Sequence, residues 1–140
     1  MSSFVSGILS ENWNLGLLGE LKVKDQLPKS QIGRDYDVFW NNLTFEIKSS
    51  TQRHSVNTWL FSAPSSLETR GNRKIEEPDY YIFLGFDKSR TNILACWLVN
   101  TKNKGRKFKY SKFQSLSRVG KSKKFLIEFN HLVEYIKLTP

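Results

Sequence analysis

Three side chains, separated by eight residues and then by one, carry the chemistry this sequence offers: Asp37, Glu46 and Lys48. The two carboxylates are hard oxygen donors of the kind that hold Mg²⁺. The lysine two positions beyond the second carboxylate can orient a water through its ammonium or, as the neutral amine, take a proton from it. Hydrolysis of a phosphodiester needs these parts: a metal to polarise the phosphate, a water made nucleophilic near neutral pH, and charge stabilisation on the developing pentavalent centre. The spacing Asp-x8-Glu-x-Lys also arises by chance, with Glu46 and Lys48 then forming a solvated strand face, so the surrounding elements must decide.

Tyr36–Trp40 and Leu43–Lys48 read as two strands, and Asn41-Asn42 between them suits a two-residue hairpin turn because asparagine tolerates positive φ. Alternation along the second strand puts Thr44, Glu46 and Lys48 on one face and Leu43, Phe45 and Ile47 on the other. Asp37 opens the first strand opposite them. Asp35 competes for the ligand role, and Asp37 is favoured because Val38-Phe39-Trp40 continues it directly as a strand. Upstream, Leu17, Leu18, Leu21, Val23 and Leu27 predict a helix over 14–27 stopped by Pro28, with Asn12 or Asn14 as cap and with Gly16 and Gly19 permitting close approach of another element. Downstream, Tyr80–Phe86 and Ile93–Val99 are continuous apolar runs joined by the turn 87–92, the pattern of central strands. The polar stretch 49–78 holds an apolar island, Trp59-Leu60-Phe61, that fits either a strand or the start of a helix. Phe125, Phe129, Leu132, Val133 and Ile136 predict a C-terminal helix over 125–137.

Asp37, eight residues, then Glu46-Ile47-Lys48 resembles the motif of the PD-(D/E)XK nuclease superfamily, the restriction-endonuclease-like fold. The order of elements is similar too, with a helix bearing a glutamate, Glu20 in Gly19-Glu20, ahead of the motif strands. Tyr36 stands where that motif has proline, a position often replaced in the superfamily. The resemblance covers about residues 14–100 of a single 140-residue domain. It implies an α/β fold with a central mixed sheet flanked by helices. It also implies Asp37 and Glu46 as metal ligands joined by the Ile47 carbonyl and by Glu20, Lys48 as the catalytic lysine, and Gln52 as an auxiliary polar residue. The expected cofactor is Mg²⁺, with Mn²⁺ able to substitute, and the expected activity is DNA endonuclease cleavage by a site-specific homing or restriction-like enzyme. The alternatives are a Holliday-junction resolvase or a non-catalytic nucleic-acid-binding module. One site per chain implies a homodimer or higher homo-oligomer wherever both strands of a duplex are cut.

The charge distribution points to the same partner, double-stranded or branched DNA. Net charge is +9, and residues 1–70 hold seven basic and seven acidic side chains, so the whole excess lies in the second half. Lys102, Lys104, Arg106, Lys107, Lys109, Lys112, Arg118, Lys121, Lys123 and Lys124 fall in one stretch, 102–124, without a carboxylate. Such a stretch binds a phosphate backbone without reading sequence. Phe108, Tyr110 and Phe113 interleave with it as stacking or anchoring groups. Arg34, Arg53, Arg70 and Arg73 are the candidates for base edges, since a guanidinium engages guanine through two hydrogen bonds.

Cys96, the sole cysteine, lies in an apolar run and reads as a buried, inert thiol, which excludes an intramolecular disulfide and a cysteine zinc site. His54 and His131 lack partner patterns and read as bystanders, and Ser49, Ser50 and Thr51 lack a Gly-x-Ser-x-Gly elbow. With neither a signal segment nor a stretch able to span a bilayer, the expected location is cytoplasmic.

Overall fold

The structure, a computed structural model, describes residues 12–33, 37–53, 56–62, 78–101 and 113–138. In chain order these form helix α1 (Asn12–Gln26), strands β1 (Val38–Trp40), β2 (Leu43–Thr51), β3 (Thr58–Ser62), β4 (Tyr80–Phe86), β5 (Ile93–Asn100), β6 (Phe113–Ser117) and β7 (Leu126–Ile127), and helix α2 (Leu132–Leu138). Short 3₁₀ turns at Lys121–Phe125 and Phe129–His131 precede β7 and α2.

Asn41 and Asn42 hold φ of 51° and 63°, the left-handed pair that a two-residue type I′ turn requires. The turn fixes β1 against β2 in the register Val38↔Phe45 to Trp40↔Leu43. Beyond β2 the five-stranded sheet runs β1-β2-β4-β5-β7. It is mixed, because β2 and β4 are parallel, Phe45↔Tyr80 through Thr51↔Phe86, while the other pairs are antiparallel. β4 is buried along its whole length, as expected of a central strand covered on both faces. This is the α/β architecture with a central mixed sheet that the sequence implied.

The two faces are covered differently. On one face Leu15 and Val23 of α1, Leu27 just beyond it, and Leu132 and Ile136 of α2 join Val38, Phe45, Ile47, Ile82 and Leu84 in one core. On the other, Trp59 and Phe61 of β3 and Leu116 of β6 pack on Tyr81, Phe83, Trp97 and Val99. Each fully buried large side chain contributes about 2 kcal/mol. Both helices therefore cover the same face, and the opposite layer is a two-stranded antiparallel ribbon, β3 with β6. The island Trp59-Leu60-Phe61 is a strand, with Trp59 and Phe61 buried and Leu60 exposed. A Cβ on Gly85 would lie 2.7 Å from the Trp59 ring, so glycine is what lets the indole seat flat on β4. Its Nε1–H donates to the Phe86 carbonyl at 2.9 Å.

Other boundaries differ from the sequence reading. Asn12 and Asn14, expected as caps, both lie within α1. The C-terminal helix begins at Leu132, because Leu126 and Ile127 instead pair with Trp97 and Cys96. A strand places the consecutive apolar residues Leu126 and Ile127 on opposite sides of the sheet edge, Leu126 toward the ribbon and Ile127 toward the helices. Because β7 completes the sheet, the fold extends past residue 100 to the C-terminal elements. The basic stretch 102–124 is likewise interrupted by β6, whose Leu116 is in the core. Cys96 is buried, and desolvation pushes its thiol far above the ordinary value, consistent with an inert side chain. Among the described residues no helix is long and apolar enough to cross a membrane.

Candidate active site

The short edge strand β1 creates the site. Phe39 exchanges two backbone hydrogen bonds with Gln31, 2.7 and 2.9 Å, so its amide and carbonyl point away from β2. Those of Val38 and Trp40 therefore point toward it, as antiparallel alternation requires. The next β2 amide on that edge is Ile47, and its N–H donates to Asp37 Oδ2 at 2.7 Å. A carboxylate stands where a ladder carbonyl would be. A residue's N–H and C=O leave a strand on the same side, so the Ile47 carbonyl faces this edge as well.

Register carries the rest. The ladder ends at Val38↔Phe45, so Asp37, just before Val38, and Glu46, just after Phe45, flank that end. Phe45 and Ile47 both turn into the helix-side core, so alternation along β2 directs Glu46 to the other side of the pleat, while Asp37, expected within the first strand, lies just outside β1 at the sheet edge with its carboxylate on the Ile47 amide. Glu46 is 6% exposed, a buried carboxylate between Phe45 and Ile47, and Lys48, partly exposed, follows on the same face. At the opposite strand end, the Asp79 carboxylate accepts the Thr44 amide at 2.9 Å and its hydroxyl at 3.1 Å. The Thr101 amide donates to the Asp79 carbonyl at 3.0 Å. Sequence reasoning passed over Asp79; its position just ahead of the Tyr80 strand was the available signal.

Glu20 arrives from α1. Its carboxyl is pushed up to about 7 by partial burial, by the negative charge of Asp37 and by a hydrogen bond with Asp37, against a smaller lowering by the Lys48 ammonium. Glu20, Asp37 and Lys48 are thus one electrostatic cluster at the β2 edge. Two carboxylates held together repel unless a proton or a cation lies between them. This proton uptake has a consequence for stability. The folded chain keeps a proton that the unfolded chain releases between about pH 4.5 and 7. Stability is therefore fullest below that window, falls as pH rises through it, and levels off above. In EDTA, Glu20→Gln should flatten this slope and melt roughly 3 °C above the parent at pH 8, a modest shift because the half-exposed group keeps much of its hydration. Thermal melts from pH 5 to 8 check it, and identical slopes in the two proteins would refute it.

The oxygen donors at this edge, carboxylates and one carbonyl, suit a hard cation. Among the described residues no group of three or more Asp, Glu, His or Cys side chains forms a ready-made metal cage. Glu20, Asp37 and Glu46 therefore do not stand as a closed three-carboxylate shell. That is compatible with Mg²⁺, which keeps waters and is commonly bound through one or two carboxylates together with substrate phosphate.

The remaining candidates divide. Gln52 continues β2, its amide donating to the Phe86 carbonyl at 2.8 Å, and Arg53 beyond it is exposed. Arg118 is committed to the fold: its guanidinium lies 5.4 Å from the Trp59 ring centroid and donates to the Val56 carbonyl. Lys121, Lys123 and Lys124 are exposed on the 3₁₀ turn, Lys124 5.1 Å over the Phe125 ring. His131 precedes α2 and sits between Glu134 at 2.7 Å and Glu128 at 3.4 Å. Arg34, Asp35, His54, Arg70, Arg73, Lys102, Lys104, Arg106, Lys107, Phe108, Lys109, Tyr110 and Lys112 lie outside the described residues.

No protein-family model matches this chain, and no curated protein sequence does. Among solved structures, the chain is similar to a bacterial homing endonuclease, I-Ssp6803I, with a TM-score of 0.53 and 12% identity. The match covers 91% of this chain and 92% of the other. At that identity the likeness is one of fold, and it extends through the C-terminal elements.

Proposed function

We propose that this chain is a metal-dependent DNA endonuclease of the PD-(D/E)XK type, acting site-specifically in the manner of a homing enzyme. The observation that carries the reading is the Asp37 carboxylate held on the Ile47 amide at the β2 edge, one residue from Glu46, with Glu20 of α1 beside it and Lys48 near enough to act on its charge. The fold likeness to a homing endonuclease over nine-tenths of both chains supports it, as does the net charge of +9.

Asp37 and Glu46, with the Ile47 carbonyl, would hold Mg²⁺, or Mn²⁺ in its place, and Glu20 would assist from beside Asp37 without completing a three-carboxylate shell. When bound, the cation supplies polarisation of the scissile phosphate and a lowered pKa for a coordinated water. The chain's own residues do the remaining work. Lys48 presents a positive donor on the Glu46 face, where it orients the attacking water and offsets charge gathering on the phosphate oxygens. Asp37 is held by the Ile47 amide, which fixes its carboxylate without a flexible intermediary. Glu20 either accepts a proton near pH 7 or, deprotonated, adds a donor.

Lys102–Lys112, Lys121, Lys123 and Lys124 grip the phosphate backbone, and Arg34, Arg53, Arg70 and Arg73 reach for bases. With one site per chain, double-strand cutting requires two chains. The test is incubation of the purified protein with plasmid and linear duplex carrying candidate target sites, alongside four-way junctions and single strands. Cleavage of duplex with Mg²⁺ and none in EDTA is expected. Equal or absent cutting in the two conditions would reject metal-dependent hydrolysis, and preference for junctions would reassign the substrate.

A further inference from the structure

We infer that Gly19 and Ser49 are positioning residues whose close contact sets how deeply α1 seats on β2, and with it the reach of Glu20 to Asp37 and Lys48. The inference rests on reading that cluster as the active site.

A Cβ on Gly19 would lie 2.0 Å from Ser49 Oγ, 3.3 Å from Ser49 Cβ and 3.4 Å from Leu84 Cδ1. The first separation is impossible for real atoms, so any side chain at 19 lifts the helix or displaces the serine. Neighbours in sequence make the contact consequential: Glu20 follows Gly19 and Lys48 precedes Ser49. The helix therefore touches the strand between two members of the charged cluster.

Neither residue is a choice made for local stability. Glycine inside a helix is less favourable than alanine, and Ser49 Oγ is buried with no hydrogen-bond partner among the described residues, which costs its desolvation without return. Together they form a spacer: a helix position with no side chain resting on a single hydroxyl. Gly16, on the same helix, supplies the contrast, because a Cβ there meets nothing within 4 Å.

Misplacement of a catalytic group by about 1 Å can cost about 100-fold in rate. Gly19→Ala should slow Mg²⁺-dependent cleavage by about that factor, with duplex affinity in EDTA changed by less than about threefold. Gly19→Ala combined with Ser49→Ala, which removes the clashing oxygen, should recover to within about fivefold of the parent, and Gly16→Ala should match the parent. If Gly19→Ala does not fold, Ser49→Thr pushes from the strand side with one added methyl in a residue type strands favour, and should show a smaller loss of the same kind.

A readout without activity is the yield of the zero-length amide between the Glu20 carboxyl and the Lys48 amine, formed with a carbodiimide and counted by mass spectrometry. It should fall in Gly19→Ala and return in the double variant. A Gly19→Ala chain that cuts and cross-links like the parent, or a loss the second substitution does not restore, overturns the inference. A parent that cross-links as described but cuts no substrate overturns the nuclease reading and leaves the positioning role standing.

Discussion

Replacing Lys48 by alanine should lower the rate of Mg²⁺-dependent cleavage by about 10³-fold, while leaving duplex affinity in EDTA within about threefold. Lys48 shares the strand face of Glu46 and acts on the charge of Glu20 from across the β2 edge. It is partly exposed and lies outside both buried clusters, so its removal opens no cavity and should leave the melting temperature almost unchanged. Effects confined to rate mark a group that acts in the transition state rather than in binding. Lys48→Arg should restore little, since a planar guanidinium does not replace a compact ammonium at one fixed point. Single-turnover cleavage and anisotropy binding, run on the same preparations, decide the matter. Parental cutting by Lys48→Ala would mean that the chemistry is located elsewhere.

The second large effect is on binding. Duplex affinity should fall about 10³-fold between 50 and 200 mM salt, the loss expected when about six phosphate contacts release their counterions. Six lysines and arginines lie between Lys102 and Lys112 alone, enough to supply that number. Arg118 should contribute little, because its guanidinium is already spent on Trp59 and Val56. Neutralising Lys104, Arg106, Lys107 and Lys109 to glutamine should flatten the slope by about four contacts and weaken all sequences alike. Affinity that changes less than about tenfold over this range would show that the basic stretch is not the phosphate grip.

What the residues declared in advance follows physical lines. The β1–β2 hairpin was legible because Asn41-Asn42 names its own turn type and the alternation from Thr44 to Lys48 names its faces. The central pair β4–β5 was legible as two apolar runs around a polar turn. The ribbon on the second face was not, since β3 and β6 are short and pair across fifty intervening residues, a long-range choice that local pattern cannot make. The true start of α2 was hidden for a similar reason: the free edge of β5, which captures Leu126 and Ile127, exists only once the sheet has formed.

The candidate site shows the same division. Asp37, Glu46 and Lys48 could be grouped from spacing, and Glu20 from its place on the preceding helix by way of the family resemblance. The hydrogen bond from Ile47 to Asp37 and the upward push on the Glu20 carboxyl by burial and by Asp37 depend on where β1 stops and how far α1 leans in. Strand periodicity carries no information on either. The contact of Gly19 with Ser49 was foreshadowed only as a glycine that permits close approach, without a partner.

The most direct measurement is anomalous scattering from Mn²⁺ soaked into crystals of the protein. One peak is expected at the β2 edge, within coordinating distance of Asp37 and Glu46 and near the Ile47 carbonyl. Manganese bound elsewhere, or carboxylates of Asp37 and Glu46 turned to opposite sides of the sheet, would contradict the assignment of this edge as the metal-bearing active site.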